Sequence, residues 1–135
     1  VIGIDTNVLV RFLTGDDPAQ SAAAGRLIGS LSAERPGFVC REVTIELVWV
    51  LERAYRFGRR EIAGALEGLL GARELVIEAA EIVGLALSRY ARGGPGFADQ
   101  MILAQCATAG CSEVVTFDRQ AAGGAGGRLL ETTPP

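Results

Sequence analysis

"VIGIDTNVLV", residues 1–10, decides how the rest of the chain is read. A β-branched run stops at an acid, Asp5, and Thr6 and Asn7 follow at once. Val1–Ile4 suits a short buried strand, and Val8, Leu9, Phe12 and Leu13 recur at helical spacing. Asp5 therefore falls where a strand hands over to a helix. In open parallel sheets that is the end at which ligands bind.

The same alternation continues. In "DPAQ" (17–20) Asp17 is a cap, Pro18 suits the first helical position, and Gln20 stands three residues after the cap. An alanine-rich helix to about residue 31 follows. "GFVC" (37–40) reads as a strand and residues 41–57 as a long helix stopped by Gly58. A helix over 60–70 ends at Gly71, "ELVIE" (74–78) is a strand, and "AAEIVGLALSRYA" (79–91) is a helix. "RGGPG" (92–96) is a loop by composition. Residues 97–109 are helical and close at Gly110, "EVVTF" (113–117) is the clearest strand, and Asp118 lies just past it. "AAGGAGG" (121–127) reads as a flexible connection and "RLLE" (128–131) as a last strand. Strands separated by helices imply an α/β fold with a mostly parallel sheet covered on both faces. At 135 residues, without repeat or linker, one domain spanning 1–135 is expected.

Composition narrows the chemistry. The chain has no histidine, which excludes His-based triads and His-ligated zinc. It has no lysine either: all 13 basic residues are arginine, which removes Schiff-base chemistry and the Walker lysine. Cys40, Cys106 and Cys111 show no CxxC spacing and read as small core or near-core side chains of a reduced, cytoplasmic protein. No stretch approaches the roughly 20 apolar residues of a membrane span, and no secretory signal is evident. The net charge of −3 argues mildly against a nucleic-acid binder, although local arginines and a bound cation can reverse the field at a site.

Any catalysis then falls to carboxylates. Of five aspartates, Asp16 and Asp17 lie in a loop and a cap, while Asp5 and Asp118 end strands. Asp99 begins the otherwise apolar "FADQMILAQCA", and Glu46 lies among aliphatics in "TIELVWVL". Ionised carboxylates in apolar settings are costly unless paired or bound to a cation. Neither Asp99 nor Glu46 has an arginine three or four residues away. Two readings stay open here. Each acid is a cap or an exposed residue; or Asp5, Glu46, Asp99 and Asp118 converge and share a divalent cation. Oxygen donors without His or Cys select Mg2+ or Mn2+, an arrangement suited to phosphodiester hydrolysis.

Four blocks, in order, carry a resemblance: "IDTNVLVRFLTGDDPAQ", "IELVWVLERAY", "FADQMILAQCA" and "VVTFDRQAA". Together they resemble the PIN-domain ribonucleases, and within them the VapC toxins of bacterial toxin–antitoxin pairs. The resemblance implies a three-layer α/β/α sandwich around a parallel sheet and a Mg2+- or Mn2+-dependent endoribonuclease. It places the family's acids on Asp5, Glu46, Asp99 and Asp118. Asp5, Asp99 and Asp118 would hold the metal, and Glu46 would reach it directly or through water. Asn7 and Thr116 would support them, Thr116 by hydrogen bonding to Asp5. Many relatives carry an acid three residues before the third one; here Gly96 stands in that place, which favours one resident ion, with any second arriving with RNA. The resemblance further implies an antitoxin partner laid over the acidic groove, and a homodimer.

Other features have plainer readings beside functional ones. Glu42 sits in a first helical turn, where an acid is favoured by the helix dipole. Arg53, Arg56, Arg59 and Arg60 read as a solvated helix end or as phosphate contacts. Trp49, Tyr55 and Phe57 read as core or subunit-interface packing before base stacking. Arg119, next to Asp118, is a candidate RNA contact. Two rival functions fit parts of the chain. An Asp-nucleophile phosphatase would use Asp5, but Asn7 replaces its second acid and its lysine is missing. A non-catalytic module that binds RNA or protein is the other.

Overall fold

The computed structural model describes residues 1–133. They form two compact units, Val1–Ala80 and a second from Glu81 onward. All strand pairings in both are parallel.

The first unit begins with β1 (Ile2–Gly3), α1 (Thr6–Thr14) and α2 (Pro18–Ser30). It continues with β2 (Gly37–Val39), α3 (Arg41–Arg53), α4 (Arg59–Leu70) and β3 (Leu75–Ile77). The strands pair in the order β1-β2-β3, with Ile2 opposite Gly37 and Gly37 opposite Leu75. Gly37 is the point of closest approach: a Cβ there would collide with the Ile4 side chain and lie 3.0 Å from Leu31 Cδ1. The helices pack through Leu9 and Val10 of α1, Leu47, Val48 and Leu51 of α3, and Ile62 and Leu66 of α4, all buried. Fully burying one such side chain is worth about 1.5–3 kcal/mol.

The second unit contains α5 (Ala80–Ala91), α6 (Phe97–Thr108), β4 (Val114–Thr116), α7 (Arg119–Ala122) and β5 (Gly127–Leu129). β4 and β5 form their own two-stranded ladder. Tyr90 of α5 and Phe97 of α6, both buried, meet edge-on with ring centroids 5.9 Å apart. Strand hydrogen bonding is thus divided between a three-stranded and a two-stranded ladder, as befits strands only two or three residues long.

Several sequence expectations shift. The long helix ends at Arg53 instead of residue 57, because Arg56 adopts the left-handed region at φ 55°. Gly58 does not stop it; it caps α4, and its N–H donates to Glu61 Oε1 at 3.1 Å. The glycine run is not a slack tether. Residues 119–122 form α7, a Cβ on Gly124 would collide with the Leu103 side chain, and one on Gly127 would lie 2.6 Å from the Ala121 carbonyl oxygen. Only glycine permits that packing. Cys40 and Cys106 are half-buried, in keeping with a near-core place, whereas Cys111 is exposed. Among the described residues no helix is long and apolar enough to cross a membrane.

Candidate active site

The first unit brings two of the four acids to one hollow. Asp5 precedes α1, and its Oδ1 accepts the Thr6 N–H at 2.7 Å. Its φ and ψ, −80° and 161°, are the extended values of a helix cap. Glu46 projects from the middle of α3. Asp5 and Glu46 line a hollow of about 380 Å3 together with Asn7, Arg11, Val50 and Tyr55. Asn7, in the first turn of α1, is exposed and also borders a neighbouring hollow of about 300 Å3 between α1 and α2.

Glu46 is exposed, not enclosed by its aliphatic neighbours. The buried side of α3 carries Thr44, Leu47, Val48 and Leu51, and Glu46 falls between them on the outer face. The desolvation cost expected from sequence does not arise. What remains is its pairing with Asp5 in one concavity. Glu42, one turn earlier, is exposed in the first turn of α3, in line with the dipole reading.

A polar cluster that no sequence motif announces lies at the same rim. Arg11 Nη1 donates to Asp16 Oδ1 at 2.9 Å and to the Tyr55 hydroxyl at 3.1 Å, and Arg11 Nε donates to Gln20 Oε1 at 2.7 Å. Tyr55 in turn donates to Asp16 Oδ2 at 2.6 Å, and Thr14 Oγ1 donates to Asp16 Oδ1 at 2.9 Å. The Tyr55 and Thr14 hydroxyls, with Arg11, hold the Asp16 carboxyl below the usual carboxylate range. The guanidinium that borders Asp5 and Glu46 is thereby engaged by a third acid. Gln20, expected to complete a capping box with Asp17, serves Arg11 instead; Asp17 Oδ1 still accepts the Gln20 N–H at 3.0 Å. Residues 11 and 55 are 44 apart, and no local spacing signals their contact.

The second unit holds the other two acids. Asp118 ends the turn after β4 and caps α7: its Oδ1 accepts the Ala121 N–H at 2.9 Å. Thr116 Oγ1 accepts the Asp118 N–H at 3.0 Å, an ST turn that fixes the backbone on which Asp118 is mounted. Asp99 stands in the first turn of α6, half-buried. Gln120 Nε2 donates to the Gly94 carbonyl at 2.9 Å and ties α7 to the loop before α6. Burial first, and the charge of Asp118 second, push the Asp99 carboxyl above the ordinary range. Arg119, the first residue of α7, is exposed.

Asp5 and Glu46 share their hollow with Arg11, whose guanidinium is paired with Asp16, and Asp99 and Asp118 lie in the second unit. The ion pairs seen among the described residues, Arg11–Asp16, Arg41–Glu78 and Arg128–Glu113, use none of the four. Nor does any group of three or more His, Cys, Asp or Glu side chains among the described residues make up a metal cage. The donors present are hard oxygens, with Cys40, Cys106 and Cys111 in none of these positions; that set fits Mg2+ or Mn2+ better than zinc.

Parallel strands whose carboxyl ends lead into aspartate-capped helices define an α/β protein with carboxylates at its ligand-binding strand ends. The sequence model of the PIN domain matches residues 2–125, and the chain belongs to the PIN-domain family. It is also 30% identical over 118 residues to a VapC ribonuclease of Aquifex aeolicus (strain VF5), a match covering 87% of each chain.

Proposed function

We propose that the chain is a Mg2+- or Mn2+-dependent endoribonuclease, the toxin of a toxin–antitoxin pair. The observation that carries this reading is the placement of two acids, Asp5 and Glu46, around one hollow whose arginine is already engaged by Asp16; Asp99, held above its ordinary range by burial first and by Asp118 second, adds to it. Carboxylates so placed repel one another, and a hard cation relieves the repulsion. The family match extends across both units, which supports a single working domain. The similarity to a VapC ribonuclease supports RNA as substrate and an antitoxin as partner.

In this reading Asp5, Asp99 and Asp118 bind the ion, and Glu46 reaches it directly or through water. When bound, the ion stabilises charge on the phosphoryl group and makes water a stronger nucleophile at neutral pH. Glu46 orients the attacking water and accepts its proton. Asn7, exposed beside Asp5, donates an amide N–H to a phosphate oxygen. Thr116 keeps Asp118 in place through its backbone. Arg119 meets the RNA backbone next to Asp118. The antitoxin covers the acids in the resting complex, the toxin is a homodimer, and both act in the cytoplasm.

The test is cleavage of total RNA by the purified protein with Mg2+, with Mn2+ and with a chelator. Cleavage is expected only with metal, and Asp99→Ala is expected to lower it by at least 100-fold with an unchanged circular dichroism spectrum. Wild-type cleavage by Asp99→Ala, or cleavage indifferent to metal, overturns the assignment.

A further inference from the structure

Trp49 is a large apolar side chain that the fold does not bury: it is 57% exposed on the outer face of α3. It is therefore not a core residue of this chain. The Arg53 guanidinium carbon lies over its ring, 5.8 Å from the centroid. Glu46, Trp49 and Arg53 are spaced by three and four residues and so form one stripe along the helix. Three residues at 1.5 Å rise put Trp49 about 4.5 Å along the axis from Glu46.

We infer that Trp49, backed by Arg53, is a stacking platform for a base of single-stranded RNA that flanks the bond cleaved near Glu46. The inference rests on the ribonuclease reading and adds a substrate subsite to it. Aromatic rings and arginine planes hold unpaired bases by stacking, and every base offers a face for it. Arg53 contributes a positive charge for the adjoining phosphate, and the exposed Arg56 and Arg60 continue that charge past the end of α3. The neighbours of Trp49 on its stripe argue against an apolar protein interface. Of the four residues three and four positions from Trp49 on α3, Glu46, Glu52 and Arg53 are charged and only the half-buried Ile45 is apolar, whereas interface cores are depleted in charge. A strand that leaves Glu46 along α3 towards its C-terminal end meets this face, and base pairing would deny the ring its partner.

Trp49 is the only tryptophan, so its fluorescence reports on this position alone. Wild-type protein in chelator, where cleavage is suppressed, is titrated with fluorescently labelled oligoadenylate, and with a blunt duplex of equal length. Saturable quenching of Trp49 by the single strand is expected, in step with the rise in anisotropy of the label, and little quenching by the duplex. In cleavage assays Trp49→Ala is expected to raise KM about tenfold while kcat stays within about twofold, and Trp49→Phe to restore most of the loss. Anisotropy that reports binding while Trp49 fluorescence is unchanged overturns the platform and leaves the ribonuclease reading intact. So does a Trp49→Phe protein that sediments as a smaller species than wild type with unchanged KM, which would make Trp49 a subunit contact. Wild-type protein that neither binds nor cuts RNA overturns the ribonuclease reading itself.

Discussion

Asp5 and Asp118 cap helices and, in the proposed reading, also hold the ion, and the two roles can be separated. One carboxylate oxygen of each accepts a backbone N–H at the start of a helix, at 2.7 and 2.9 Å. Asparagine caps as well as aspartate, whereas alanine does not, at a cost of about 0.5–2 kcal/mol. Asp118→Asn is therefore expected to melt within a degree or two of wild type, and Asp118→Ala several degrees lower, with both inactive on RNA. Calorimetry alongside the cleavage assay checks this; equal melting of the two variants would deny Asp118 its capping role. Asp16 makes a different prediction. Its folded-state pKa lies below that of the unfolded chain, through the Tyr55 hydrogen bond first. Its contribution to stability is thus complete above the unfolded value, about 3.9, and is lost as pH falls through the folded value. Denaturant titrations from about pH 6 down to about pH 2 should show wild type losing more stability on the acid side than Asp16→Asn. Tyr55→Phe should narrow that gap. At this scale the strand-end acids were legible because a β-branched run followed by Asp is a local signal. The Arg11–Asp16–Tyr55 cluster was not, because its members come from α1, the loop after it and the end of α3.

The glycines of the β4–α7–β5 segment mark where the elements are tightest. A Cβ on Gly127 would meet backbone atoms, Ala121 O at 2.6 Å and Ala122 Cα at 2.9 Å, which cannot rotate away. A Cβ on Gly37 would meet the side-chain ends of Ile4 and Leu31, which can shift. Gly127→Ala should therefore destabilise by about 1–3 kcal/mol or more, and Gly37→Ala by less. Urea midpoints of the two variants decide the order. Composition cannot tell a flexible glycine from a crowded one, so the run reads as slack from sequence alone. The four residues of α7 carry too little periodicity to register. The end of α3 reads four residues late, since Arg56 is not a residue type that announces a left-handed conformation. Most other elements were legible: Asp17 before Pro18, and runs such as "ELVIE" and "EVVTF", are signals carried within a few residues.

For the whole molecule, the family match fits the βα alternation expected from sequence, and the parallel pairing of every strand agrees with it. Glu46 was legible as an odd acid in an aliphatic helix, but the inference of burial failed: one helix face suffices for the core, and Glu46 falls on the other. If a cation relieves the repulsion among the acids, Mg2+ or Mn2+ should raise the melting temperature, increasing with concentration by mass action. Mn2+ at 100 times its dissociation constant would add about 2.7 kcal/mol. A melting temperature flat across a metal titration would count against a shared ion. The two capping aspartates also bear on how this family drifts. A descendant freed from its chemistry would still need a side-chain oxygen at positions 5 and 118 merely to start its helices. Solvent-facing Glu46 is under no such obligation, so under the proposed reading its loss in a related chain would be the earlier mark of an abandoned activity, and its survival the stronger mark of a living one.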